Sequence, residues 1–179
     1  ESIYTNGVWV KRQYFDANGI LTERHDTGYA IIERTHDEWG QCLSVSYKGA
    51  DGERVIHKEY QCAGFEYSYD KFGNEKEIRY IGEDGKLMLR RDYGIAKVVR
   101  NYDDKGNLIG EEYFDIKGNP VARKDVGYAS YRSIYDSNGT WIESQYFDRN
   151  NKLIKRIDTG YAVIKKKYDD FGRCYLTEY

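Results

Sequence analysis

Tyr14, Tyr47, Tyr80, Tyr113, Tyr146 and Tyr179 stand 33 residues apart, with no insertion or deletion between them. A fixed period of that length means stacked copies of one supersecondary unit, because a single unit is too small to bury its own apolar face. Other columns keep the register: Ala30, Ala63, Ala96, Ala129 and Ala162, then Asp37, Asp70, Asp103, Asp136 and Asp169. Gly40, Gly73, Gly106, Gly139 and Gly172 do the same, and Gly7 extends their column toward the N-terminus. The chain therefore reads as one repeat domain, residues 1–179. A partial unit, 1–13, precedes five full units at 14–46, 47–79, 80–112, 113–145 and 146–178.

Each unit divides into three elevens, each with a turn-like head and a tail of six or seven residues, as from Tyr102 onward. In the head Tyr69-Asp70-Lys71-Phe72-Gly73 the aspartate can accept backbone N–H groups two residues on, and the glycine supplies positive φ for a type I turn with a G1 bulge. The third head, Asp125 to Ala129, carries the same Asp and Gly at tighter spacing. The tails are rich in Ile, Val, Tyr and Thr, which suit a pleated surface, and none sustains a helical apolar period. The only proline, Pro120, lies beside a turn. The pattern predicts an all-β chain with three short strands and three turns per unit.

Leu, Ile, Val and Phe make up only roughly a fifth of the residues, so the 19 tyrosines must supply much of the buried area. A thin continuous seam in an elongated body fits that composition better than one thick core. Two arrangements can carry the repeat. In a parallel β-solenoid, Arg24, His57, Arg90, Arg123 and Arg156 would stack about 4.8 Å apart as a basic ladder. The column Asp26, Glu59, Asp92, Asp125 and Asp158 would form an acidic one, and like charges directly opposite are destabilising. An antiparallel meander of hairpins avoids both ladders and is the favoured reading.

Tyr67-Ser68-Tyr69-Asp70-Lys71-Phe72-Gly73-Asn74 resembles the Tyr-x-Tyr-Asp-x-x-Gly-Asn heart of the YD (Rhs-type) repeat family. Tyr168 to Arg173 and Tyr102 to Asn107 resemble it as well. The period departs from that family's, which is nearer twenty residues. Tyrosine- and glycine-rich cell-wall-binding repeats of Gram-positive surface proteins are a looser likeness. Both resemblances imply antiparallel strands, a place at the cell surface or outside the cell, and glycan or cell-wall polysaccharide, or a protein, as partner. Glu1 opens the chain without a methionine, as in a processed or excised fragment.

Charge and chemistry exclude more than they suggest. A net charge of −2 with interleaved signs leaves no basic footprint for nucleic acid, and no stretch is apolar enough to insert in a membrane as a helix. Cys42, Cys62 and Cys174 are odd in number and read as free thiols filling aromatic positions. His36 stands in the column of Tyr69, Tyr102, Tyr135 and Tyr168, and His57 falls in the arginine column, while His25 aligns with Lys58 and Lys124. None has a metal-ligand partner at a recognisable spacing, and one carboxylate per turn is too few for calcium. No catalytic residue, metal or cofactor is expected. The candidate ligand-binding residues are the aromatics that break the repeat: Trp39, Phe72 and Phe171 at turn tips, and Trp9 and Trp141 in the column of Glu75 and Leu108. Such rings either fold back to cover the thin core or offer flat faces that suit stacking on sugars or packing against a protein. Small-angle scattering of the isolated chain should give a radius of gyration well above the ~16 Å of a compact domain of this length. A value near 16 Å would remove the elongated reading.

Overall fold

The Asp-x-x-Gly heads turn the chain as their chemistry requires. The structure, a computed structural model, describes residues 1–5 and 7–179. Asp70 Oδ1 accepts the backbone N–H groups of Phe72 at 2.8 Å and Asn74 at 2.9 Å, and Gly73 N–H donates to the Asp70 carbonyl at 3.0 Å. Gly73 sits at φ 88°, in the left-handed region where a Cβ is strained. The same two carboxylate contacts recur at Asp37, Asp103, Asp136 and Asp169. A register shift flanks each head, as where Ser68 pairs with Glu77 but Tyr69 with Glu75, and the bulge absorbs the extra residue.

Two compact units result. Glu1–Arg91 holds β1 (Ser2–Thr5), β2 (Val8–Gln13), β3 (Ile31–His36), β4 (Cys42–Lys48), β5 (Gly64–Tyr69) and β6 (Glu75–Ile81). Asp92–Tyr179 holds β7 (Lys97–Tyr102), β8 (Leu108–Phe114), β9 (Ser130–Tyr135), β10 (Trp141–Phe147), β11 (Val163–Tyr168) and β12 (Cys174–Glu178). In each unit consecutive strands pair antiparallel, so the chain is an all-β meander and the parallel solenoid is set aside. No helix occurs among the described residues.

The structure differs from the sequence reading in the make-up of a repeat. Each 33-residue unit contributes two ladder strands, not three. The remaining third is a tight turn closed by one isolated bridge, at Phe15–Leu21, Lys48–Arg54, Ile81–Leu87, Phe114–Pro120 and Phe147–Leu153. Its turn and the Asp-x-Gly turn after it lie so close in sequence that the short link between them spends its N–H groups locally. Val55 N–H donates to the Tyr47 carbonyl at 3.0 Å, and His57 N–H to the Cys62 carbonyl at 2.9 Å. No run remains to pair as a strand.

These connections fold back over one face of the strands and enclose the core. Tyr29, Ile32, Val45 and Tyr47 form its centre in the first unit, with Trp9, Tyr14, Val55, Phe65 and Tyr67 packed against them. The alanine column marks where the connection rejoins the sheet: Ala63 N–H donates to the Ile81 carbonyl at 2.8 Å, and Ala30, Ala63 and Ala96 are wholly buried. Tyrosines fill the layer ring against ring, with centroids 5.0 Å apart for Tyr29–Tyr47 and 4.8 Å for Tyr128–Tyr146. Such pairs add about 0.5–1.5 kcal/mol beyond the area they bury.

The basic and acidic columns close this layer together. Arg24 Nε donates to Asp26 at 3.0 Å while its guanidinium lies 4.9 Å from the centre of the Tyr14 ring. Arg123 with Asp125 over Tyr113, and Arg156 with Asp158 over Tyr146, repeat the arrangement. Arg24, Arg123 and Arg156 are thus each paired by their own turn's carboxylate. Hydrogen bonds from Arg24 and Arg156 hold the Asp26 and Asp158 carboxyls down at about 2. His57 replaces the arginine in one repeat. Its ring is buried and stacks on Tyr60 at 4.3 Å, and its Nδ1 accepts the N–H groups of Glu59 and Tyr60.

Two consequences are measurable. Gln61 takes φ 53° at the position where Gly28, Gly94, Gly127 and Gly160 supply positive φ. Gln61→Gly should raise stability by a few tenths to about 1 kcal/mol, whereas Gly73→Ala should lower it by about 1–2 kcal/mol. Denaturant titration reads both. Burial pushes the His57 pKa below its ordinary 6.5, so its contribution is complete above about 6.5 and lost as pH falls through the lowered value. The depressed carboxylates lose theirs later, between about 4 and about 2. His57→Arg should abolish the earlier loss and keep the later one. Equal slopes for both proteins between about pH 5 and 7 would sink this role for His57.

Candidate functional site

At the hairpin tips the carboxylate cap uses the backbone of the third turn residue and leaves its side chain outside the layer. Trp39 N–H donates to Asp37 Oδ1 at 3.0 Å, and the indole is 78% exposed. Phe72 occupies the same place one repeat on, with its ring 70% exposed. The two rings share a cleft of about 430 Å³, completed by Gln41, Asp70, Lys71 and Gly73. Gln41 Nε2 donates to the Gly73 carbonyl at 3.1 Å and so ties one tip to the next. Lys71 Nζ lies 4.8 Å from the Phe72 ring centre, and the Asn74 amide helps hold the Asp70 carboxyl below its ordinary value. The cleft thus offers two aromatic faces, an amide, an ionised carboxylate and an ammonium.

The other candidates are placed differently. Phe171 is 84% exposed at the β11–β12 tip, with the Arg173 guanidinium 5.2 Å from its ring centre. In the two remaining tips of that unit the position holds Lys105 and Asn138, and Lys105 Nζ donates to the Ser137 carbonyl. Trp9 is half-buried on β2 against the core, with the Arg34 guanidinium 4.3 Å from the ring. Trp141 is half-buried on β10 and donates Nε1–H to the Glu143 carbonyl at 2.9 Å and to Ser144 Oγ at 2.8 Å. Among the five aromatics, the structure brings Trp39 and Phe72 together in one cleft.

Sequence reasoning missed the polar partners of that cleft. It also missed a groove of about 710 Å³ in the second unit whose lining includes Gly110, Arg132 and Gln145. The signal for the groove is Gly110, which stands where Lys11, Ser44, Glu77 and Glu143 carry side chains. Cys42, Cys62 and Cys174 are free thiols. Among the described residues, no three His, Cys, Asp or Glu side chains converge as a metal site.

No protein-family model matches the chain, and no curated protein does. Solved structures do. The TcdB2–TccC3–Cdc42 crystal structure aligns over 97% of this chain with a TM-score of 0.51 at 13% identity. TcdB2–TccC3 without its hypervariable C-terminal region aligns over 94% with a TM-score of 0.54, also at 13% identity. In both cases this chain spans only 8% of the other chain's length. What this similarity establishes is the fold: an antiparallel β-repeat of the kind those large chains contain.

Proposed function

We propose that the chain is a non-enzymatic repeat segment of a larger bacterial surface or secreted protein, and that it binds glycan or cell-wall polymer through its tip aromatics. One observation carries the reading: Trp39 and Phe72, 33 residues apart in sequence, line one open cleft beside Gln41 and Asp70. Two flat apolar faces beside planar polar groups suit a pyranose, whose C–H face stacks while its hydroxyls bond to amide and carboxylate. Phe171 repeats the display at its own tip, and Trp9 and Trp141 contribute through their solvent-facing edges. The YD-like heads support assignment to a repeat body rather than a catalytic one.

The second reading is a scaffold for protein contacts. It draws support from the exposed tip rings and from the two structural neighbours, both complexes of named protein components. A glycan array carrying cell-wall fragments separates the two. Binding should be seen, and Trp39→Ala or Phe72→Ala should weaken it about tenfold, roughly 1.4 kcal/mol, without altering thermal unfolding. A blank array with folded protein removes the glycan reading and leaves the scaffold.

A further inference from the structure

The groove in the second unit lies where the sheet loses a side chain. Gly110 on β8 pairs with Asn101 on β7 and Arg132 on β9, and a Cβ there would stand 2.6 Å from the Tyr131 carbonyl oxygen. The floor is therefore backbone, and its depth is set by glycine. Around it stand planar polar side chains that hold one another in place. Arg132 lies 4.6 Å from the Phe147 ring centre and donates Nη2–H to Asn151 Oδ1 at 2.9 Å. The Asn101 amide donates to Glu112 Oε1 at 3.3 Å, and the Gln145 amide to Glu143 Oε1 at 2.7 Å. Ile134, 46% exposed, adds an apolar surface.

Three features narrow the occupant. Arginines and carboxylates interleave around the groove, and Asp103 and Asp148 accept backbone N–H groups of their own turns, so neither charge sign dominates. The strands β7 to β10 are hydrogen-bonded to each other, so no strand edge lines the floor for an extended peptide to join. An amide already bonded once keeps a further donor and its acceptor, and a guanidinium keeps further donors, arranged in a plane that matches two neighbouring hydroxyls. A volume of about 710 Å³ falls in the range of small-ligand sites.

We propose that this groove is a second, separate binding site, selective for a neutral oligosaccharide held by the Asn101, Arg132, Gln145 and Asn151 side chains. The proposal rests on the glycan reading of the chain given above. It is tested on the whole chain by amide correlation spectra titrated with cellohexaose, maltohexaose and chitohexaose, with a hyaluronan hexasaccharide as the acidic probe. A neutral probe should shift the Gly110, Arg132 and Gln145 amides to saturation. Asn101→Ala and Gln145→Ala should each weaken that binding about three- to tenfold, as loss of one hydrogen bond does. The same spectra report whether each variant is folded. Trp39→Ala should leave the groove shifts unchanged. Shifts confined to the Trp39 and Phe72 tips would overturn the groove and spare the tip reading. A response to hyaluronan alone would overturn the neutral class, and no response anywhere would overturn both sites.

Discussion

An aspartate carboxylate that accepts two backbone N–H groups of its own turn is the contact on which this fold depends. Five heads use it between paired strands, from Asp37 to Asp169, and each places a glycine at positive φ three residues on. The geometry is local, so each hairpin closes without help from distant residues. The back-folding turns use related chemistry. Asp16, Asp115 and Asp148 cap theirs in the same way, and where Gly49 and Gly82 replace the first aspartate, Asp51 and Asp84 accept one N–H instead.

Once these turns direct the connections over one face, a thin core becomes possible with few aliphatic residues. Tyrosine suits it, because a ring fills the layer while its hydroxyl reaches the polar side. Arg123 Nη1 donates to Tyr113 Oη at 3.4 Å and Arg156 Nη1 to Tyr146 Oη at 3.2 Å, so the guanidinium serves ring, hydroxyl and carboxylate together. The columns that would repel in a parallel stack are in this way made cohesive. His57 shows the cost of departing from the pattern: a buried neutral ring does the packing but cannot accept a proton without loss. The opposite face of the strands carries instead cross-strand ion pairs, such as Glu33 with Lys11 at 3.1 Å and Lys48 at 2.7 Å. Both candidate sites lie outside the tyrosine layer, one at the tips and one over Gly110, where the repeat places no constraint on side-chain identity.

The sequence by itself determined the 33-residue period, the β class and the position of each turn, and it favoured the antiparallel sense that strand pairing then settled. The turns follow from neighbouring residues, through carboxylate capping and positive-φ glycine, and the antiparallel preference from like-charge columns that recur every 33 residues. Tertiary structure decided which third of each unit forms no ladder, because that outcome is a competition between local turn bonds and strand pairing. Only folding shows that Trp9 packs against the core while Trp39 and Phe72 share a cleft, for adjacency across a full repeat depends on how hairpins stack. Gly110 marks the place of the groove in the chain, but not the groove itself. A missing side chain makes a cavity only when the strands on both sides bring their own side chains to its rim.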